Sequence, residues 1–425
     1  MAFSNIMDSN SYSGGASIDP ATGQLIEVRE RLLGPAYRLF YERPVHLVRG
    51  SGCHVFDADG ERYLDAYNNV VSVGHCHPRV AAAVTRQLET LNTHTRYLHD
   101  GIVDYSRRLL GTMPAEVDQV MYACTGSEAN DLALRVAAMH TGARGVIVTA
   151  DAYHGNTEAV TAISPSLGGA TRLGAHVRTV APDLSGIEAA IADLQESGHG
   201  VSCLVVDTIF ASDGIYPEVA LAPAVAAVRA AGGVFIADEV QPGFGRTGEA
   251  MWGFQRHGVV PELVTMGKPM ANGLPVAALA AQRPVLAAFA DNVPYFNTFG
   301  GNPVSMAAAS AVLEVIEDEG LMDNSAALGT ALRDAIGGIE DPRIGAVRGA
   351  GLYVGVEMVT SAGAPDRVGA HDLVNAMRER RILISVCGHD GNVLKIRPPL
   401  VFSPADLDWF MSEFTAALSE GRDVG

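Results

Sequence analysis

Short apolar runs alternating with alanine-rich helical patterns constrain this chain more than any other feature. The runs lie at 120–123, 146–149, 204–207, 234–237 and 263–266, and helical patterns at 128–140, 187–195 and 222–231 fall among them. Strand–helix alternation of this kind builds a mainly parallel sheet with helices on both faces. In such a sheet ligands bind at the C-terminal ends of the strands. The residues that follow each run are therefore the place to look for chemistry.

The flanks read differently. Residues 1–35 have the character of a mobile or docking arm. Short apolar segments over 45–63, with the turn Asp57-Ala58-Asp59-Gly60, predict a hairpin. One long helix is expected over 305–319, a second over 326–336 and a last over 404–418, where Ser403 is placed to cap it. Strands are expected near 352–357, 382–385 and 393–396. The predicted organisation is an arm and hairpin over 1–65 that joins the smaller domain, a large α/β domain over 66–305, and a smaller α+β domain over 306–425. With 425 residues, 48% hydrophobic and 18% charged, the chain can bury the cores that two such domains need.

The net charge of −18 opposes binding to nucleic acid or to an anionic membrane surface, both of which require an excess of Lys and Arg. A small anion held by one arginine or a helix N-terminus remains compatible with it. No apolar run is long enough to span a bilayer, and residues 1–15 lack the basic and apolar regions of a signal peptide. The cysteines, Cys53, Cys76, Cys124, Cys203 and Cys387, are odd in number and scattered. They read as reduced thiols of a cytoplasmic enzyme, with no disulfide framework. Gly74-His75-Cys76-His77-Pro78 looks metal-like but lacks a matching ligand cluster. It reads as a loop packed near the site, and no metal is expected.

Five segments carry candidate chemistry. Asp238 ends the run at 234–237, and Lys268 follows the run at 263–266 within Gly267-Lys268-Pro269. A strand-end aspartate is ordinarily a turn cap and a lysine ordinarily a solvated surface group. A lysine fixed in an apolar Gly/Pro turn can form an imine with an aldehyde, and a buried aspartate can hold a proton on a pyridine nitrogen. These are the two parts that pyridoxal 5'-phosphate (PLP) chemistry needs from a protein. Cys124-Thr125-Gly126-Ser127-Glu128 leads from a strand into a helix, so Gly126 and Ser127 are candidates to cradle a phosphate, against the alternative of an ordinary N-cap. Tyr153-His154-Gly155 follows the run at 146–149 and could stack on a planar ring. Arg397, in Ile396-Arg397-Pro398-Pro399, offers a fixed guanidinium fork for a carboxylate or phosphate.

The order of these segments is more specific than any of them alone. T-G-S-E-A-N, Y-H-G, D-E-V-Q-P-G-F-G-R-T-G, G-K-P-M, T-F-G-G-N-P and I-R-P-P, in that sequence, resemble the class III aminotransferase family of PLP enzymes over about residues 44–420. The resemblance implies an aspartate aminotransferase-like fold. It implies that Lys268 carries the cofactor as an imine and that Asp238 pairs with the pyridine nitrogen. Val240 would pack under the ring, Gln241 bond its hydroxyl, Tyr153 stack above it with His154 alongside, and Gly126 and Ser127 bind the phosphate. Thr298 would reach the phosphate of another subunit, in a homodimer or larger assembly with sites at the interface. Asn68-Asn69-Val70, Arg96-Tyr97-Leu98-His99-Asp100 and Lys395-Ile396-Arg397-Pro398-Pro399 are closer to one branch, the ethanolamine-phosphate phospho-lyases and their 5-phosphohydroxylysine relatives. Many family aminotransferases carry a glutamate, in a Glu-Pro-x-Gln-Gly-Glu stretch, that neutralises the substrate-binding arginine. The matching stretch here, Asp207-Thr208-Ile209-Phe210-Ala211-Ser212-Asp213-Gly214, has none, with Asp213 the one candidate to replace it. The expectation is elimination of phosphate from phosphoethanolamine, a small phosphorylated amine. Arg397 would grip the phosphate, with Asn69, Tyr97 and Arg96 lining the same pocket. The alternatives are an ω-amino acid or amine:pyruvate transaminase and a 5-phosphohydroxylysine lyase, whose second cation would be Arg96 or Arg43.

Overall fold

A computed structural model describes residues 5–169 and 171–420. Three early strands, β1 (Leu47–Ser51), β2 (His54–Asp57) and β3 (Arg62–Asp65), form an antiparallel meander. The predicted turn joins β2 to β3, held by Asp57 Oδ1, which accepts from the backbone N–H of Asp59 and Glu61. The described part of the arm is held by local bonds and one bridge. Asp19 caps the helix Pro20–Leu33, with Pro20 at its first position, and Ser11 bridges Phe40. Residues 1–4 lie outside the described ones.

Seven strands make the large sheet: β4 (Val117–Ala123), β5 (Val146–Thr149), β6 (Val177–Val180), β7 (Cys203–Asp207), β8 (Val234–Asp238), β9 (Leu263–Met266) and β10 (Ala277–Gln282). Their order is β4-β10-β9-β8-β7-β5-β6. The pairs from β6 to β9 are parallel, while β10 runs antiparallel between β9 and β4. All five predicted runs are strands of this sheet. Residues alternate between two cores: Val234 and Ile236 pack on one face, with Leu132 and Val136 of the helix Gly126–Thr141, and Phe235 and Ala237 on the other. The strand β10 was not among the predicted ones. Its Ala277-Ala278-Leu279-Ala280-Ala281 is buried on both faces, where small side chains fit although alanine is a poor strand former.

The remaining strands are β11 (Ile344–Ala350), β12 (Tyr353–Met358), β13 (Ile382–Leu383), β14 (Ser385–Cys387) and β15 (Val393–Ile396). Four of them form the smaller sheet, β11-β12-β15-β14. The run predicted near 382–385 is divided: β13 pairs in parallel with β3, so a C-terminal strand continues the N-terminal meander. Helices Pro303–Asp318, Leu321–Gly337, Arg367–Glu379 and Pro404–Glu420 complete this half, and Ser403 Oγ accepts from the Asp406 N–H at the start of the last. Among the described residues no helix is long and apolar enough to cross a membrane.

Candidate active site

A cavity of about 660 Å³ opens at the C-terminal ends of β4, β5, β8 and β9 and is closed from the other side by residues of β14 and β15. That size suits a cofactor-scale ligand. Lys268, Asp238, Gly126, Ser127, Tyr153, His154, Val240, Gln241 and Arg397 all line it, as the sequence predicts.

Lys268 begins the turn Lys268–Ala271 directly after β9, at φ +23°. A side chain other than glycine is strained there, and the strain is local to a residue that faces the cavity. Burial, then the nearby charge of Arg397, lowers its amine to about 8, while Asp238 and Asp207 act in the opposite sense.

Asp238 is 3% exposed and accepts three hydrogen bonds. Its Oδ2 accepts from His154 Nδ1 at 2.7 Å and Asn130 Nδ2 at 3.0 Å, and its Oδ1 from the Val240 N–H at 3.1 Å. Asn130 also donates to His154 O at 2.8 Å and accepts from Thr265 Oγ1 at 2.6 Å. One amide thus ties β8, β9 and the loop after β5 together. His154 does not face solvent, and its Nε2 is buried without a partner. Asn130 stands in the quoted T-G-S-E-A-N segment, but no role follows from its position there. The available signal was its helical spacing, since a polar residue on the buried face of the helix Gly126–Thr141 needs a buried partner.

The glycine turn is an N-cap, and it also borders the cavity. Thr125 caps the helix Gly126–Thr141 in a capping box, with Glu128 accepting from the N–H groups of Cys124 and Thr125. Gly126 and Ser127 still line the cavity at the helix N-terminus, where an anion is favoured. A Cβ on Gly126 would lie 2.9 Å from Val240 Cγ2, so glycine lets these two cavity-lining residues approach closely. Gly155, at φ +140°, would place a Cβ 2.4 Å from Ser127 Oγ.

Arg397 is 6% exposed. Its Nε donates to Tyr67 O at 2.7 Å, Nη1 to Gln241 Oε1 and, at 3.4 Å, to the Tyr353 hydroxyl, and the guanidinium lies over the Tyr67 ring. No carboxylate lies within ion-pair distance of it among the described residues. Asp213 does not take the place of the missing glutamate: its carboxylate accepts from Thr149 Oγ1 at 2.8 Å and the Asp151 N–H at 3.0 Å, and Ser212 rather than Asp213 lines the cavity. Burial raises Asp213 to about 7.

Three predicted substrate-binding residues stand elsewhere. Asn69 is buried behind the cavity wall and donates to the backbone of Gln241 at 2.9 Å, so it positions that residue and does not line the pocket. Arg96 and Tyr97 belong to an exposed loop: His94 stacks on Tyr97 and meets Phe296 edge-on, and Arg96 lies over Phe296. Their long side chains point away because the loop packs on the 295–299 segment. Thr298, in that segment, is exposed and outside this chain's cavity. Arg43 pairs with Glu379 on the surface. In the metal-like loop, His75 bonds Asp65 at 2.7 Å and His77 bonds Glu319. Asp65 in turn accepts from the N–H groups of Tyr67 and Asn68, which fixes the loop that carries the Arg397 contact.

Sequence reading missed Lys395. It lines the cavity two residues before Arg397 and is 4% exposed. The signal was the alternation in Leu394-Lys395-Ile396-Arg397: Leu394 and Ile396 enter the core of the smaller domain, which turns both cations to the other face of β15. Ile6, Met7 and Arg38 of the arm also line the cavity.

Residues 40–418 match the model of the aminotransferase class-III family. A phospholyase from Arthrobacter, solved in complex with phosphoethanolamine, is 43% identical, with a TM-score of 0.91 over 93% of this chain and 99% of that one. An alanine–glyoxylate aminotransferase 2-like protein of Drosophila melanogaster is 40% identical over 93% of this chain and 87% of its own length. An ethanolamine-phosphate phospho-lyase homolog of Caenorhabditis elegans is 33% identical over 89% and 90%.

Proposed function

This chain belongs to the class III aminotransferase family of PLP enzymes, and within it we propose a lyase that converts O-phosphoethanolamine and water into acetaldehyde, ammonia and inorganic phosphate. The observation that carries this reading is Arg397, a buried guanidinium on the cavity wall with no carboxylate among the described residues to neutralise it. An enzyme that alternates between an amino acid and a keto acid needs such a charge switched off in part of its cycle. An enzyme that always receives a phosphate does not. The phosphoethanolamine complex of the Arthrobacter phospholyase supports the same assignment.

The residues fit PLP. The glycine turn, the buried Asp238 with its three donors and the strained Lys268 converge on one cavity of sufficient size. Gly126 and Ser127 would hold the phosphate, Val240 and Tyr153 the two ring faces, Asp238 the ring nitrogen, Gln241 the ring hydroxyl and Lys268 the aldehyde carbon. When bound, the cofactor supplies an electron-withdrawing ring that stabilises negative charge on the carbon beside the substrate nitrogen.

The free amine of Lys268 removes the proton from that carbon. Its lowered pKa provides the neutral base close to neutral pH. Arg397 orients the phosphate on the adjacent carbon and faces the charge that the departing group carries away. As the carbon–oxygen bond breaks, its electrons leave with phosphate and a carbon–carbon double bond forms. The released enamine takes up water and falls apart to acetaldehyde and ammonia.

Purified holoenzyme given phosphoethanolamine alone is expected to yield phosphate and acetaldehyde in equal amounts. A strict requirement for pyruvate or 2-oxoglutarate would instead establish the aminotransferase reading, which the Drosophila relative favours. A rate comparison with 5-phosphohydroxylysine decides between the two lyase substrates. Self-association belongs to the same proposal: Tyr97, Leu98, Phe296 and Phe299 are 65%, 103%, 48% and 68% exposed beside Thr298, an apolar patch of the kind a second copy covers. Five unpaired cysteines support a reducing, cytoplasmic setting.

A further inference from the structure

We propose that Arg38 of the arm is a carboxylate-reading residue held in reserve by Asp8. The site then takes phosphorylated amines that carry a carboxylate several bonds from the reacting carbons, as well as phosphoethanolamine. The inference rests on the phosphate-elimination reading and widens its substrate class.

A substrate of that class needs a second cation, apart from the one that meets its phosphate. Arg96 and Arg43, the cations that the sequence offers for this role, both stand away from the cavity. Arg38 lines it. The segment that carries Arg38 runs antiparallel to residues 10–12: Ser11 bridges Phe40, the Tyr12 N–H donates to Leu39 O, and the Tyr41 N–H to Asn10 O. Phe40 and Arg38, two apart along the chain, both face the cavity, as the pleat of an extended segment allows.

A line of contacts joins Arg38 to Arg397. The Arg397 guanidinium lies 4.5 Å from the centroid of the Tyr67 ring, Tyr67 meets Phe40 edge-on at 5.5 Å, and Phe40 is two residues from Arg38. The cations are thus set apart along an aromatic surface, to which Ile6 and Met7 of the arm add apolar groups. A two-carbon substrate uses none of this. A run of methylene groups ending in a carboxylate would lie along it with one anionic group at each cation.

Asp8 makes the second charge conditional. Arg38 Nε donates to Asp8 Oδ1 at 2.8 Å and Nη1 to Pro35 O, while Nη2 has no partner among the described residues. The paired side chains are 43% and 25% exposed, and an ion pair open to water gains little. Asp8 Oδ2 accepts from Asn5 Nδ2 at 2.6 Å, so the carboxylate keeps a donor when Arg38 turns from it. A substrate carboxylate can then replace Asp8 and take two parallel bonds, from Nε and Nη2. With a substrate that has no carboxylate, Asp8 keeps the guanidinium neutralised. The bond broken is the same in both cases: water is taken up, and phosphate, ammonia and an aldehyde that retains the carboxylate are released.

The test uses holoenzyme of wild type, Arg38→Gln and Asp8→Asn, with phosphate release from phosphoethanolamine and from 5-phosphohydroxylysine as the readout. The two substitutions are expected to act with opposite sign. Arg38→Gln should lower kcat/KM for 5-phosphohydroxylysine, relative to that for phosphoethanolamine, about five- to tenfold. Asp8→Asn should raise the same ratio about two- to fivefold, because the competing carboxylate is gone. A ratio unchanged in Arg38→Gln would overturn the proposal. Shifts of the same sign in the two variants would overturn it as well, since the pair would then only tie two segments of the arm together. Phosphate release by wild type from phosphoethanolamine alone would leave the lyase reading intact and sink the wider substrate class. Binding of ε-aminocaproate and of hexylamine, followed by the cofactor's absorbance, does not depend on elimination. If wild type releases no phosphate from either substrate, yet Arg38→Gln weakens ε-aminocaproate about five- to tenfold relative to hexylamine, the lyase reading fails and the carboxylate site stands.

Discussion

Replacing His154 measures how much the support behind Asp238 contributes to the site. The carboxylate has three donors, and the shortest bond, 2.7 Å, comes from His154 Nδ1. Both side chains are shut off from water, at 0% and 4% exposure, so no solvent donor stands ready to replace it. A hydrogen bond to a buried charged group contributes about 1.5–3 kcal/mol, or roughly a tenfold to 150-fold change in an equilibrium constant. His154→Phe keeps the ring volume and removes the donor. His154→Asn loses volume but places an amide nitrogen near the Nδ1 position. The expected result is a cofactor dissociation constant raised about tenfold or more in His154→Phe and within about threefold of wild type in His154→Asn. Absorbance titration of cofactor-free protein reads both, and initial rates should follow the same order. Cofactor affinity and turnover unchanged in His154→Phe would refute the argument. Equal losses in the two variants would also refute it, since the effect would then belong to packing.

Gly155→Ala should weaken cofactor binding by about tenfold or more, as its Cβ would displace Ser127 Oγ and the backbone is at φ +140°; the same titration checks it. Capture of the cofactor by cofactor-free protein requires the neutral Lys268 amine. Because burial and Arg397 lower that amine to about 8, the capture rate should rise with pH through about 8 and then level off, and a rate still rising at pH 10 would contradict it. Arg397→Gln should move that midpoint upward, since a like charge is removed, and should raise KM for phosphoethanolamine about tenfold or more. Asp213→Asn should leave KM within about threefold, because its carboxylate is engaged by Thr149 and Asp151 away from the substrate.

The parallel part of the large sheet was legible because its strands are apolar runs with no competing pattern. Val146–Thr149 and Leu263–Met266 have the predicted bounds. The strand Ala277–Gln282 was not, since alanine signals helix unless the space between two neighbours forbids anything larger. The cofactor-side residues other than Thr298 were placed at the cavity because each follows within a few residues of a strand end, where chain order dictates position. The substrate side was not. Asn69, Arg96 and Tyr97 sit on loops whose direction depends on packing partners, Gln241 for the first, Phe296 for the second and, for the third, His94, which itself meets Phe296. Lys395 was overlooked for the opposite reason. Its place on a regular strand beside Arg397 was readable from two-residue spacing, but a lysine is by default assigned to the surface.

The strand β15 lies in one sheet while β8 and β9 lie in another. On the proposed function, the proton-abstracting group and the leaving-group holder are thus hung on separate frames that face each other across the cavity. Mutational drift on the small frame can redraw which substrates are accepted without disturbing the hardware that activates them. A lineage built this way can change its chemistry by re-lettering a few positions of one short strand. Relatives at 40% and 33% identity to this chain bear aminotransferase and phospho-lyase names respectively.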